Sequence, residues 1–222
     1  MLQASGVQKS YGPLRVLKGV DLTVAKGEVV SIVGASGAGK STLLHILGTL
    51  DTPDQGTVRI NGEDVFAHGA AALARFRNKH IGFVFQFHNL LPEFSALENV
   101  MIPALIAGTE ERQARKKAMG LLKLLGLEAR DSHKPAALSG GEQQRTAVAR
   151  ALVNSPNLVL ADEPSGNLDS KNAADLHRLF FNLKNELGHT FIIVTHNEEF
   201  ADMADRKLEM KDGVMVNANH KP

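Results

Sequence analysis

The stretch that decides the fold runs Gly34-Ala35-Ser36-Gly37-Ala38-Gly39-Lys40-Ser41. It satisfies the phosphate-binding pattern G-x-x-x-x-G-K-[ST]. An apolar run at 29–33 precedes it, and a helix-forming run at 41–47 follows it. Because this pattern binds polyphosphates when it joins a strand to a helix, the sequence predicts a P-loop and a nucleotide as its ligand.

Each part of this loop has an expected role. Glycines let successive main-chain N–H groups turn toward phosphate oxygens, and the helix N-terminus adds a partial positive charge. We expect Lys40 to reach the β- and γ-phosphates and the Ser41 hydroxyl to bind Mg²⁺. The residues expected to contact the nucleotide here are Gly34, Ala35, Ser36, Gly37, Ala38, Gly39, Lys40, Ser41 and Thr42.

The composition argues against several classes of protein. The 222 residues include 25 Lys and Arg against 24 Asp and Glu, a net charge of +1, so the strong basic bias of a dedicated nucleic-acid binder is missing. Cysteine is absent, which excludes a disulfide framework and thiolate metal sites. No apolar run approaches the ~18 residues of a membrane span, and no signal-peptide pattern opens the chain. We expect a cytosolic protein that meets a membrane only through partners.

The order of patterns predicts a mainly parallel α/β core with a helical insertion. Strands are expected within 2–32, with breaks at 12–13 and 26–27, and at 57–61, 81–86, 158–161 and 191–195. Apolar residues recur at three- and four-residue spacing between about 95 and 154, and another helix is expected around 171–187. We predict one domain over 1–222, in which 1–86 and 155–222 form the core and β parts and about 87–154 forms a helical subdomain.

Two carboxylates end a predicted buried strand. Residues 158–161 are apolar, and Asp162 and Glu163 follow them at the carboxyl end, where open α/β sheets bind ligands. Asp162 is placed to hold Mg²⁺ through water, as the aspartate of a Walker B motif does. Glu163 can face the γ-phosphate and polarise an attacking water. An acid pair at an exposed turn is the alternative, and the upstream P-loop disfavours it.

A second specific string, Leu-Ser-Gly-Gly-Glu-Gln-Gln-Arg, occupies 138–145. Ser139 and Glu142 have the spacing of a capping box, so a well-capped helix is one interpretation. Two consecutive glycines, Gly140 and Gly141, are unfavourable at a helix start unless something approaches the backbone closely. We expect phosphate oxygens to make this close approach to the backbone.

This string and the P-loop together resemble the ATP-binding cassette (ABC) ATPases, whereas P-loop kinases and GTPases lack the string. The resemblance covers roughly residues 3–216. It implies the ABC-cassette fold, with an N-terminal antiparallel β subdomain and a helical subdomain beside the core. It also implies hydrolysis of ATP with Mg²⁺ in a head-to-tail homodimer, where each ATP lies between one P-loop and the partner's Ser139, Gly140 and Gly141.

The remaining landmarks of that family occur in order. Tyr11 resembles the aromatic residue that stacks on adenine, although a strand aromatic can also pack on the core. Gln86 resembles the Q-loop glutamine, a Mg²⁺ and water contact. Residues 166–169 resemble the D-loop, so Asp169 is expected near the nucleotide, and His196 resembles the H-loop histidine that contacts the γ-phosphate.

Within the family, 161–169, 84–100 and 207–213 are similar to the cassettes of lipoprotein-releasing, MacB-type export and FtsE-type cell-division systems, most of all to the first. Ser165 and Asn197 stand where threonine and aspartate are commoner. The resemblance implies two integral membrane partners, similar to LolC and LolE, and a peripheral position on the cytoplasmic face of the inner membrane. Soluble ABC ATPases of chromosomes or ribosomes are a distant alternative, since only a helical insertion fits between Ser41 and Leu138.

An apolar cluster follows Gln86 and comprises Phe87, Leu90, Leu91 and Phe94. Pro92 makes a long regular helix here unfavourable, so some of these side chains are expected to stay exposed. An amphipathic helix from a membrane subunit is the expected partner for such a surface. The alternative is that all four side chains pack inside the helical subdomain.

Overall fold

Ten strands and seven α-helices make up the part of the chain that the computed structural model describes, residues 1–220 without the side chains at 187 and 217–220. The strands are β1 (Leu2–Tyr11), β2 (Leu14–Val24), β3 (Val29–Val33), β4 (Gln55–Ile60), β5 (Glu63–Asp64), β6 (Ile81–Phe85), β7 (Leu158–Asp162), β8 (Thr190–Val194), β9 (Arg206–Lys211) and β10 (Val214–His220). The helices are α1 (Lys40–Leu47), α2 (Ala70–His80), α3 (Ala96–Ile106), α4 (Glu111–Leu124), α5 (Gly140–Leu152), α6 (Ser170–Leu187) and α7 (Glu198–Met203).

The core sheet has six strands in the order β10-β9-β3-β8-β7-β6. Every neighbouring pair is parallel except β9 and β10. The predicted mainly parallel α/β sheet is therefore confirmed. β3, β6, β7 and β8 end at one edge, so the four segments that follow them, which carry the predicted site residues, start close together.

A second, antiparallel sheet lies against one face of this core in the order β2-β1-β4-β5. Successive strand residues point to opposite faces. In β8, Ile192 and Val194 pack with α1 and the antiparallel sheet, whereas Phe191 and Ile193 pack with helices of the other face. Helix α1 is thus held between two sheets, which fixes the P-loop at its N-terminus.

Three helices, α3, α4 and α5, pack on one another and lie within the predicted helical region. Their buried side chains include Val100, Ala118, Leu122 and Val148. Among the described residues no helix is both long and apolar enough to cross a bilayer. The division of the chain into core and helical subdomain at 87–154 stays a prediction.

Most predicted elements appear with small shifts at their ends. The strand expected at 57–61 is Gln55–Ile60, and that expected at 191–195 is Thr190–Val194. Helix α2 and the C-terminal strands β9 and β10 were not predicted. No residue of α2 is fully buried and only Leu73 and Phe76 pack partly against the core, so the apolar pattern that would reveal this helix in the sequence is weak.

Candidate active site

A cleft of 610 Å³ opens at the carboxyl edge of the core sheet. Three neighbouring strand ends meet there, because β3 leads into the P-loop, β7 into Glu163 and β8 into His196. The residues that line the cleft are Tyr11, Leu14, Val16, Gly34, Ser36, Gly37, Gly39, Lys40, Ser41, Thr42, Gln86, Glu163, Val194 and His196. Folding therefore brings together most of the predicted site residues, which come from five distant parts of the sequence.

Two P-loop glycines have positive φ angles, which residues with a side chain rarely adopt. Gly34 has φ 147°, and a Cβ there would lie 2.1 Å from the main-chain oxygen of Met210. Gly39 has φ 102° and caps α1, and a Cβ there would lie 2.9 Å from the Leu17 side chain. No larger residue fits at either position. The Lys40 ammonium donates to the carbonyls of Gly34, at 2.7 Å, and Ala35, at 2.9 Å, so it lies across its own loop.

Two oxygen-bearing side chains that were predicted to hold Mg²⁺, Ser41 and Asp162, lie side by side at the end of the P-loop. The Ser41 hydroxyl donates to Asp162 Oδ1 at 3.1 Å. Burial raises the pKa of the Asp162 carboxyl, while the Ser41 hydrogen bond and the charges of His45 and Lys40 oppose that rise. Hydroxyl and carboxylate oxygens are the ligands that Mg²⁺ prefers, and a cation here would offset the burial of Asp162. The donor set fits Mg²⁺.

Glu163 sits at a turn that fixes its carboxylate beside His196. Its backbone is left-handed, with φ 46°, a conformation that costs a non-glycine residue ~1–2 kcal/mol. The Glu163 N–H donates to the Val194 carbonyl at 2.9 Å, and its own carbonyl accepts from Gly166 at 3.0 Å. Glu163 Oε2 lies 2.9 Å from His196 Nδ1. The strained turn thus aims the carboxylate into the cleft instead of along the strand.

Gln86 forms two hydrogen bonds with Asn167, a residue that was not among the predicted site residues. Gln86 Nε2 donates to Asn167 Oδ1 at 2.9 Å, and Asn167 Nδ2 donates to the Gln86 carbonyl at 3.2 Å. A Cβ on Gly166 would lie 3.0 Å from Gln86 Nε2, so the two chain segments touch closely. The predicted Q-loop and D-loop segments are therefore one connected unit in this chain.

Tyr11 is half exposed at the rim of the cleft and does not pack in the core. Its hydroxyl donates to Asp51 Oδ2 at 2.5 Å, and this hydrogen bond raises the pKa of Tyr11. Lys9 Nζ lies 5.2 Å from the ring centroid and donates to Asp51 Oδ1 at 2.7 Å. The ring is thus held in place by two charged residues, Lys9 and Asp51, and no local sequence pattern marked them.

Ser139, Gly140, Gly141 and Asp169 do not line this cleft. Ser139 caps α5, with its N–H donating to Glu142 Oε2 at 2.8 Å and its Oγ accepting from the Glu142 N–H at 3.3 Å, which confirms the predicted capping box. Asp169 caps α6 by accepting from Asn172 N–H at 2.9 Å. Within a single copy of the chain, Ser139 and Asp169 therefore cap helices, and none of these four residues reaches the nucleotide cleft.

Comparison with known proteins places these features in one family. The sequence model described as ABC transporter matches residues 17–166. The lipoprotein-releasing system ATP-binding protein LolD of Cytophaga hutchinsonii is 59% identical over 216 residues, which cover 97% of this chain and 99% of that protein. LolD of Bacteroides thetaiotaomicron is 60% identical over 215 residues, with 97% and 99% covered.

Solved structures agree with the sequence comparison. The dimeric structure of MJ0796, a bacterial ABC transporter cassette, superposes with a TM-score of 0.91 at 40% identity, covering 99% of this chain and 98% of that one. A dimeric post-hydrolysis state of the same cassette, bound to ADP and Pi, superposes with the same TM-score, identity and coverage. The fold and the order of motifs are therefore those of a nucleotide-hydrolysing cassette.

Proposed function

The chain belongs to the ABC transporter family, and we propose that within this family it is the ATP-hydrolysing subunit of a lipoprotein-releasing system. The proposal rests on the similarity to LolD proteins along nearly the whole chain, and on the docking surface described below. One observation carries the ATPase assignment: Glu163 and Lys40 line the same cleft. A carboxylate base and a phosphate-binding cation thus share one site.

In the proposed reaction, the P-loop amides and Lys40 bind the phosphates of ATP, and Tyr11 offers its ring to the adenine. Glu163 accepts a proton from the attacking water, and His196 and Gln86 hold the γ-phosphate and that water in position. Ser41 and Asp162, with Gln86, would hold Mg²⁺. When bound, this ion would neutralise charge on the β- and γ-phosphates.

We further propose that hydrolysis needs two copies of the chain. Ser139 and Gly140 are exposed on the free surface and lie away from their own cleft. In a head-to-tail dimer the partner's Ser139, Gly140 and Gly141 present the N-terminus of α5 to the γ-phosphate, which adds favourable dipole charge. Asp169 lies at the neighbouring helix start and would reach the same interface. The dimeric structures of the related cassette MJ0796 support this arrangement.

The docking surface for the membrane subunits is proposed to be the segment after Gln86. Phe87 is 69% exposed, Leu91 43% and Phe94 41%, whereas Leu90 is half-buried. The alternative, that all four apolar side chains pack inside the helical subdomain, is wrong. Three large apolar side chains so close together on a surface are typical of an interaction site.

Asn99 holds this docking segment in shape. It is fully buried, and its Oδ1 accepts from Leu91 N–H at 2.8 Å. Its Nδ2 donates to the carbonyls of Leu91 and Phe94, both at 3.1 Å, and of Ser95 at 3.0 Å. A buried amide with all its groups satisfied rigidifies the backbone around it. The exposed side chains are therefore presented by a fixed loop, which supports docking of a preformed partner.

A reconstituted assay tests the proposed function. The chain is co-expressed with the two membrane subunits that accompany it, the complex is placed in proteoliposomes, and release of an acylated lipoprotein is measured with and without ATP. We expect release that needs ATP and an intact Glu163, in a complex where the chain lies peripherally on the cytoplasmic face. ATP hydrolysis without any release of acylated protein would reject the lipoprotein assignment while leaving the ATPase assignment in place.

A further inference from the structure

The Tyr11 ring is held by a carboxylate that belongs to another part of the fold. Tyr11 ends β1 of the antiparallel sheet, and Asp51 lies in the loop that follows α1. The Tyr11 hydroxyl donates to Asp51 Oδ2 at 2.5 Å, across 40 residues of sequence. This hydrogen bond raises the pKa of Tyr11, and a hydrogen bond with the Thr42 side chain of α1 opposes that rise. The rim of the nucleotide cleft is therefore joined to both ends of the P-loop helix.

The Asp51 carboxylate is itself held in a fixed orientation. Its Oδ1 accepts from Lys9 Nζ and from the Thr52 N–H, both at 2.7 Å. Burial would raise the pKa of this carboxyl, but the hydrogen bonds from Lys9, Tyr11 and Thr52 outweigh burial, and the pKa is lowered. Asp51 therefore stays charged at neutral pH, and both of its oxygens have charge-assisted partners.

Lys9 contacts the Tyr11 ring from outside the nucleotide cleft. Its ammonium lies 5.2 Å from the ring centroid, whereas the residues that line the cleft include Tyr11 and not Lys9. Lys9 is also buried, since 8% of its surface is exposed. The side of the ring that meets the cleft is therefore not taken by this cation, and it is free to stack on a base.

Main-chain hydrogen bonds connect Asp51 to the P-loop through helix α1. The N–H groups of Leu50 and Asp51 donate to the His45 carbonyl in the last turn of α1, at 2.8 and 3.3 Å. Helix α1 has 8 residues, which span about 12 Å, and it begins at Lys40 of the P-loop. Because α1 is packed between the two sheets, the fold sets the position of Asp51 relative to the phosphate-binding amides.

We propose that Asp51 is a positioning residue for the nucleotide, and that it holds the Tyr11 ring at a fixed place relative to the P-loop. ATP would be bound at both of its ends, by the ring and by the loop, so these two sites must lie one nucleotide length apart. A half-exposed ring that rotates freely would lose entropy at each binding event, whereas a ring already held does not. This inference rests on the proposed function, because it takes Tyr11 as the residue that meets the adenine.

Asp51→Ala and Tyr11→Phe break this hydrogen bond from its two sides while an aromatic ring stays at position 11. Each should raise the KM for ATP about three- to tenfold, with kcat at saturating ATP within about twofold of wild type. The double variant should bind ATP as tightly as the weaker single variant, since both changes break the same contact. Asp51→Asn keeps an oxygen that accepts from the tyrosine and should recover most of the affinity. Tyr11→Phe leaves the Lys9–Asp51 ion pair in place, so it tests the contact even if Asp51→Ala is less stable.

Inorganic tripolyphosphate separates positioning of the base from a general effect on the fold. It carries phosphates but no base, so its inhibition constant against ATP hydrolysis should be the same for wild type, Asp51→Ala and Tyr11→Phe. Asp54→Ala is the matched control, because this exposed carboxylate of the same loop accepts from the Ser10 N–H at 2.7 Å and not from the Tyr11 hydroxyl. Its KM for ATP should stay at the wild-type value.

Other outcomes would overturn the proposal in distinguishable ways. Equal weakening of ATP and tripolyphosphate in Asp51→Ala would assign Asp51 to the fold of the P-loop instead. Additive losses in the double variant, or wild-type KM values in both single variants while Tyr11→Ala binds ATP weakly, would refute the role of Asp51 and leave the adenine contact in place. If Tyr11→Ala binds ATP normally and Lys40→Ala does not, the adenine contact and the proposal are refuted together, and the ATPase assignment stands. Normal ATP binding by Lys40→Ala as well would refute the ATPase assignment.

Discussion

Glu163 Oε2 contacts both the side chain and the main chain of His196, at 2.9 Å from Nδ1 and 3.2 Å from the N–H. The two residues follow adjacent parallel strands, β7 and β8. Because the Glu163 turn is left-handed and the His196 N–H lies opposite it, the carboxylate has one favoured direction. This contact orients the proposed base toward the phosphate-binding loop.

Glu163→Gln should retain ATP binding but lower hydrolysis by about 10²–10⁴-fold, since the amide cannot accept the proton from water. The loss is measured as phosphate release at saturating ATP and Mg²⁺. Size-exclusion chromatography should also detect an ATP-dependent dimer, because the slow step now precedes opening. A monomer at saturating ATP, in a variant that still binds it, would argue against the composite site.

Lys40→Ala should nearly abolish both nucleotide binding and hydrolysis while the fold persists. Lys40 is the P-loop cation, and among the described residues its ammonium donates to two main-chain carbonyls and forms no ion pair, so its removal should disturb the fold little. Binding of a fluorescent ATP analogue gives the readout, with far-ultraviolet circular dichroism as the control for folding. ATP affinity within a few-fold of wild type would contradict the role assigned to the P-loop.

The two glycines of the α5 start call for different tests. A Cβ on Gly141 would lie 2.5 Å from Asn172 Oδ1 within the same chain, so a bulky residue there disturbs the fold as well as any interface. A Cβ on Gly140 meets only Leu168, at 3.7 Å. Gly140→Asp should therefore leave ATP binding by the monomer intact and lower hydrolysis at least about 10²-fold, since the carboxylate repels the partner's γ-phosphate.

Gly140→Ala is the matched control for that variant and should lose much less activity. Mixing Gly140→Asp with Lys40→Ala gives the sharper measurement. A head-to-tail dimer of the two variants carries both lesions in one site and none in the other, so activity should recover. Equal losses for Gly140→Ala and Gly140→Asp would show that shape, and not charge, matters at this position.

Phe87→Ser combined with Leu91→Ser should abolish co-purification of the membrane subunits from detergent-solubilised membranes. Both side chains are exposed, so the free energy of unfolding of the isolated chain should change little. Thermal melting of the purified variant checks that point. A large drop in melting temperature would instead assign the two side chains a packing role that their exposure contradicts.

His177 should make stability fall in mild acid. The ring is 7% exposed, stacks on Phe200 at 3.7 Å and accepts or donates a 2.9 Å hydrogen bond with Ser165 Oγ. Burial lowers its pKa to about 4 from an ordinary 6.5. The unfolded chain then binds a proton that the folded chain refuses, so stability is constant above about pH 6.5, falls toward pH 4 and levels off below it.

The expected loss for His177 is up to ~3 kcal/mol across that window. Urea unfolding at pH 7.5 and pH 5 measures the part of this loss that falls above pH 5, ~2 kcal/mol. His177→Phe keeps an aromatic ring against Phe200 and should reduce the difference between the two pH values. An unchanged pH difference in the variant would assign the acid sensitivity to the partly buried His88 and the buried His189, whose pKa values burial also lowers.

The sequence predicted those parts of the site that are local. The strand at 29–33, the P-loop and the carboxylates after β7 follow from runs of a few residues, and parallel pairing alone brings their ends to one edge. Contacts between distant polar side chains could not be predicted. The Gln86–Asn167 pair and the Lys9–Asp51–Tyr11 network each join residues that no periodic pattern relates.

The sequence also could not predict how the candidate residues are oriented in the fold. The pattern at 138–145 indicated both a capped helix and a phosphate contact, and the structure of one copy contains only the first. Exposure of Leu91 and Phe94 could not be separated from burial by composition, because it depends on the loop conformation that Asn99 holds through hydrogen bonds. Helix α2 was missed because none of its residues is fully buried and its apolar pattern is weak.

The Asn99 clamp has a consequence for when the membrane complex assembles. Because one buried amide fixes the loop from Leu91 to Ser95 through four hydrogen bonds, the chain loses the loop's conformational entropy once, as it folds. The backbone of this loop then needs no further ordering at each encounter with a partner, which favours rapid association. We therefore expect the proposed assembly with membrane subunits to need no prior binding of nucleotide.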